Sequence, residues 1–297
     1  MHEGELELTD DTAARLIARR FPKLALMPLQ RVRTAGTVNT VFRIGDDLAA
    51  RFPLTGETEV ALDREADAMT EFAAVCPVAA PRSVGIGSST SEYPSAWSVQ
   101  TWVPGVTASH DRHAASESLA SDVGDVIASL RAADVRGRVF DGHGRGGVLA
   151  DHDEWIELCI DRSGHLLDAP RVRRLWNALR GLPSSGVDLM SHRDLTPFNL
   201  LVSDDRLAGV LDGGGFGPAD RALDLVATWH LFDAPRRRII RDRLGSGDVE
   251  WMRGAAWAVQ QAMGLVWYYE ESNPTMSDLG RSTMRRLLDD PELSSIG

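Results

Sequence analysis

Apolar positions change their rhythm along this chain. Up to residue 103 they come mostly in short runs between turn residues, and beyond it mostly at helical spacing. Thr9-Asp10-Asp11 ahead of Ala13, Ala14, Leu16, Ile17 and Ala18 predicts a capped amphipathic helix, which Phe21-Pro22 ends. Runs at 29–34, 41–44 and 48–52, the last two joined by Gly45-Asp46-Asp47, predict a three-stranded meander. Residues 59–72 have helical composition, with Val60, Leu62, Ala66, Met69 and Phe72 as the apolar positions. Strands follow at 83–86 and 97–103, and Pro104-Gly105 closes the second. Leu119, Val123, Val126, Ile127 and Leu130 then mark a core helix within 115–133, and a helical pair begins at Asp153 and reaches to about 182. Apolar runs at 200–202 and 207–211 flank the turn Ser203-Asp204-Asp205-Arg206 and predict a β-hairpin. After Asp224 the chain reads as helical, with Trp251, Ala255, Ala258, Val259, Ala262, Leu265 and Val266 on one core face.

The hairpin carries polar groups at its ends, and their order is specific. His192-Arg193-Asp194-Leu195, three residues, then Asn199 satisfies the catalytic-loop signature of protein kinases. Five specified positions in fixed register arise by chance in a chain of this length on the order of once in ten thousand sequences. Phosphoryl transfer asks for positioning and for cancellation of negative charge around the transferred group. Asp194 stands where a carboxylate can orient the attacking hydroxyl. The amide oxygen of Asn199 and the carboxylate of Asp212, at the same end of the hairpin, are hard oxygen donors suited to Mg²⁺.

The same stretch resembles the aminoglycoside phosphotransferase family of antibiotic kinases. The resemblance lies in 192–199, in Leu211-Asp212-Gly213-Gly214, in Gly215-Phe216-Gly217, and in Asp220 to Asp224 with its Asp-x-x-x-Asp spacing. It implies an α+β, bilobal, protein-kinase-like fold. Residues 1–103 would form a small antiparallel-sheet lobe with one main helix, and 104–297 a larger, mostly helical lobe. Arg51, at the place of the kinase strand lysine, would then order the nucleotide phosphates with Glu65 as its helix partner. The backbone near Thr37 and Asn39 would touch phosphate, and the backbone around Thr101 and Val103 would hold an adenine or guanine ring. Acids near the expected acceptor cleft, Asp153, Glu157, Asp224, Glu270 and Glu271, are the candidate amine binders. One departure is Gly213, where protein kinases have Phe. Its missing side chain leaves nothing to pack behind the metal carboxylate, so a more mobile loop is expected.

Composition narrows the partners. A formal net charge of -11 disfavours nucleic acid and suits a cationic small molecule. There is no apolar run long enough for a membrane, and the acidic start MHEGELELTDD argues against targeting, so a cytoplasmic protein is expected. Cys76 and Cys159 are far apart, which points to free thiols. His110, His113, His143 and His152 lack ligand spacing and read as loop histidines, and Arg236, Arg237 and Arg238 as a solvated face. Gly142 to Gly147 follows no strand and opens no helix, so it reads as a flexible loop. The expected activity is transfer of the γ-phosphoryl group of ATP or GTP to a hydroxyl of an aminoglycoside or related antibiotic. A choline-like, homoserine-like or macrolide acceptor would keep the same three residues. A nucleotide-binding protein without turnover is the alternative from another class, with Gly213, Arg51 and the short glycine loop as its signs.

Overall fold

The computed structural model describes residues 5–32 and 38–294. Helix α1 (Asp10–Arg20) starts where Thr9 accepts from the Thr12 N–H and ends at Phe21. Strands β1 (Leu29–Val32), β2 (Asn39–Ile44) and β3 (Leu48–Pro53) form the expected meander. Helix α2 (Glu59–Val75) crosses over, and β4 (Ser83–Gly87) and β5 (Trp97–Thr101) complete an antiparallel five-stranded sheet in the order β1-β2-β3-β5-β4. Under it Phe52 stacks on Trp97 with ring centres 4.8 Å apart, and Ala13, Leu16 and Ile17 of α1 join the same core.

Beyond the sheet, β6 (Val106–Thr107) leads to α3 (Glu117–Arg131), α4 (Asp153–Arg162) and α5 (Ala169–Leu179). Strand β7 (Leu189–Ser191) precedes the catalytic-loop sequence, and β8 (Leu200–Ser203) with β9 (Arg206–Val210) makes the hairpin. The short β10 (Gly217–Ala219) pairs antiparallel with β7, so the segments before and after the hairpin lie side by side. Helices α6 (Val226–Leu231), α7 (Ala234–Leu244), α8 (Asp248–Tyr268), α9 (Pro274–Leu288) and α10 (Pro291–Ser294) complete the chain. Trp176, Trp229 and Trp257 fill the core around α8. A second core joins α3 to the hairpin and takes in Phe72 of α2. Among the described residues no helix is long and apolar enough to cross a membrane.

Two surface expectations are corrected by burial. His110 is buried and its Nε2 lies 3.1 Å from Asp278. Arg237 is buried as well, donating to Asp290 at 2.5 Å and to the Phe232 carbonyl at 3.0 Å, because α7 turns that side chain inward. Cys159 is a free buried thiol, raised by burial to about 11.

The core also holds a titratable group. His230 on α6 is fully buried between Thr283 of α9 and Gln261 of α8, at 2.8 and 3.2 Å, and burial lowers it to about 4. Above pH 6.5 the folded and unfolded chains both keep this ring neutral. As pH falls from about 6.5 towards about 4, the unfolded chain takes up a proton that the native fold refuses, so stability is lost in that window. Urea unfolding should show roughly 2 kcal/mol lost to this group between pH 6.5 and 5, and His230→Gln should remove that part of the slope. Parallel curves for the two proteins would contradict it.

Candidate active site

The candidate site side chains are held largely by contacts distant in sequence. The buried Asp224, just after β10, accepts from Ser191 Oγ at 2.8 Å and from the backbone N–H groups of His192 and Arg193 at 2.9 and 3.2 Å. A carboxylate spent on three donors fixes the loop from behind. This corrects the expectation for Asp224 as a substrate acid, since it has no surface to offer one. Asp220 is likewise internal, ion-paired to Arg253 and accepting from Trp257 Nε1 at 2.8 Å.

His192 joins the loop to the far end of the hairpin. Its Nδ1 accepts from the Asp194 N–H at 3.3 Å, so Nε2 carries the proton and donates to the Leu211 carbonyl at 2.8 Å. The Leu211 N–H returns a bond to the Asn199 carbonyl at 2.8 Å. Arg193 and Asp212 both take left-handed backbone conformations, φ 69° and 59°, a cost of order 1–3 kcal/mol each that the surrounding bonds sustain.

Asp194 Oδ1 receives Arg145 Nη2 and Gln261 Nε2, both at 2.7 Å, and Oδ2 receives Asn199 Nδ2 at 3.1 Å. With its NH₂ on Asp194, the Asn199 amide presents its oxygen to the cavity that Asp212 also borders. On the sheet side, Arg51 of β3 donates to Glu65 of α2 at 2.6 Å and to Asp212 at 3.0 Å. Burial disfavours the Arg51 charge, but Asp212 and Glu65 outweigh it and hold the guanidinium above its ordinary pKa.

Two cavities meet here. One, of about 460 Å³, runs from Thr101 and Val103 past Arg51 to Asn199 and Asp212. Asn39 borders it, whereas Thr37 lies outside the described residues. The Thr101 N–H donates to the Arg82 carbonyl at 2.9 Å, so this amide is committed and Thr101 can offer only other groups. The second cavity, of about 520 Å³, is lined by Asp194, and the two meet at a wider space of about 880 Å³ that Arg51, Asp194 and Asp212 border.

None of the other expected acids borders either of these cavities. Asp153 accepts from Trp176 Nε1 and Arg180, Glu157 from Arg173, and Glu270 lies 3.0 Å from His165, while Glu271 is exposed. Asp153, Glu157 and Glu270 stand beside neighbouring side chains as their partners, which local sequence cannot distinguish from cleft acids.

Arg145 and Gln261, which both donate to Asp194, are candidate site residues that the sequence reading missed. Arg145 sits in the 142–147 loop read only as flexible. Gln261 stands beside Gln260 in an otherwise apolar stretch of α8, and two amides on a core face were the available signal. Gln261 also accepts from His230, since its NH₂ is committed to Asp194.

The expectation for Gly213 is also corrected. A Cβ at Gly213 would lie 2.4 Å from Phe72 Cδ1, so α2 supplies the packing group that position 213 lacks. Phe72 stands edge-on to His192 and Phe216, with ring centres 5.2 and 5.5 Å apart, and the loop is backed by a tight aromatic cluster.

The family model described as "Phosphotransferase enzyme family" matches residues 30–257. A search of curated proteins by sequence finds no match. Among solved structures, the GDP complex of wild-type aminoglycoside 2'-phosphotransferase-IIIa superposes with a TM-score of 0.68 at 16% identity, over 94% of this chain and 98% of that one. The macrolide 2'-phosphotransferase MphH from Brachybacterium faecium gives 0.60 at 19% identity, over 95% and 98%. ADP-bound aminoglycoside phosphotransferase APH(2'')-Ib gives 0.55 at 15% identity, over 90% and 96%. At these identities the likeness is one of fold.

The Phe72–Gly213 contact predicts a compensating pair. Gly213→Phe should destabilise by about 1–3 kcal/mol through overpacking, and Phe72→Ala by about 3–5 kcal/mol through the cavity it leaves. The double variant should unfold at a higher temperature than the sum of the two losses allows. Additive losses in thermal unfolding would show that the two positions do not share one space.

Proposed function

The chain belongs to the phosphotransferase enzyme family, and on that premise we propose that it moves the γ-phosphoryl group of ATP or GTP to a hydroxyl of a small antibiotic-like molecule. The observation that carries this reading is Asp194 bordering two cavities, one that it shares with Arg51 and Asp212 and another lined for an organic acceptor. The structural neighbours named with GDP or ADP leave both donors open, and those named for aminoglycosides and macrolides supply the first acceptors to try.

In this reading residues 1–103 hold the nucleotide and 104–297 carry the catalytic and acceptor groups. The base lies against Val103, and Asn39 stands near the phosphates with Thr37. Arg51, fixed by Glu65, binds phosphate oxygens and keeps Asp212 in place. The oxygen of Asn199 and the carboxylate of Asp212 are hard donors on one cavity, a set that fits Mg²⁺. Magnesium held there would neutralise phosphate charge during transfer. Asp194 accepts the hydrogen bond of the attacking hydroxyl once Arg145 yields Oδ1, while Asn199 and Gln261 hold its orientation. Because the donor is a cytosolic metabolite, we place the protein in the cytoplasm.

Removing the orienting carboxylate should cost chemistry and spare donor binding. Asp194→Ala should lower kcat by about 10²–10⁴-fold, with nucleotide affinity changed by less than about threefold, measured by ADP or GDP release and by calorimetry. Retained turnover on an acceptor that the parent enzyme phosphorylates would remove Asp194 from this role. Arg51→Ala leaves Glu65 and Asp212 unpaired beside the phosphates, and should raise the nucleotide KM by roughly ten- to a hundred-fold. An unchanged KM would detach Arg51 from the donor site.

A further inference from the structure

We propose that the acceptor is a bulky, largely apolar alcohol carrying at most one positive charge, and not a polyamine. The proposal rests on the phosphotransferase reading, because it describes the acceptor side of the same cleft. The cavity of about 520 Å³ beside Asp194 is walled by Trp155 of α4, Phe198, Leu265 and Tyr268 of α8, and Met276 and Leu279 of α9. Among its described lining residues Asp194 is the only acid, and its Oδ1 already receives Arg145 and Gln261 at 2.7 Å. Arg145 lines the cavity too, so a cation faces any ammonium group that enters.

The acids that the sequence offered for amines are not on this wall. Asp153 serves Trp176 and Arg180, Glu157 serves Arg173, Glu270 faces His165, and Glu271 lies outside the wall. An ammonium taken out of water without a carboxylate costs several kcal/mol, and a polyamine would meet that cost more than once. An apolar surface withdrawn from water gains instead, in proportion to the area covered. The aromatic faces of Trp155 and Tyr268 can take one cation, which sets the limit of a single charge. The formal net charge of -11 does not alter this, since it describes the whole chain and not this wall.

The test is calorimetry of the full chain with Mg²⁺ and a non-hydrolysable ATP or GTP analogue. The two probes are erythromycin, a macrocyclic lactone with one basic amine, and kanamycin, a sugar with several. Erythromycin should bind at least about tenfold more tightly, and its affinity should change by less than about twofold between roughly 50 and 300 mM NaCl. Trp155 is 38% exposed, so Trp155→Ala should fold normally and weaken erythromycin by about tenfold. Equal or tighter kanamycin binding, or binding of neither probe, overturns the proposal. If kanamycin binds best and gains phosphate from ATP or GTP, this inference falls and the phosphotransferase reading stands. If erythromycin binds best, this inference stands. Should no acceptor in a wider library then gain phosphate, the phosphotransferase reading falls, and the statement about its acceptor falls with it.

Discussion

One guanidinium ties the site together. Arg51 comes from a sheet strand, Glu65 from the helix that crosses behind it, and Asp212 from a hairpin 161 residues further along the chain. Two carboxylates this close are tolerable only while the cation between them is present, because its loss leaves two like charges uncompensated. That condition constrains where β3, α2 and the end of β9 can sit. The cleft between them is shaped by this requirement as much as by apolar packing.

The catalytic loop is fixed differently, by neutral and charge-assisted hydrogen bonds to backbone. Asp224 holds its start, His192 ties it to Leu211, and Asn199 ties its end to Asp194. Left-handed backbone at Arg193 and Asp212 is sustained by these bonds. Gln261 adds support from α8, with His230 and Thr283 behind it. The Asp194 carboxylate therefore has partners from three separate parts of the chain.

Much of this was legible in sequence where the signal is local. The 192–199 signature, the hairpin and the long α8 carry their own register or periodicity, and their positions follow from it. Strands β7 and β10 were not legible, since three residues hold no period and each exists only because the other lies beside it. The partners of charged residues were the main gap. Asp153, Glu157 and Asp224 look alike on paper, yet two meet arginines on a neighbouring helix and the third meets backbone inside the protein. Arg145 reached Asp194 from a glycine-rich loop whose sequence says only that it can bend. Overall acidity suggested a cationic ligand, but net charge is a sum over the surface and carries no address.

The aromatic cluster behind Asp212 redraws the mechanical boundary of the molecule. Phe72, with Ala68 and Val75 alongside, is anchored in the core of the larger lobe, although α2 belongs to the first 103 residues. A hinge movement that widens the cleft would therefore have to swing the five-stranded sheet and α1 while the last turns of α2 stay behind. Glu65, earlier on the same helix, packs against Gly214 on that stationary side, so the Arg51 contact becomes the latch across which such a movement must open.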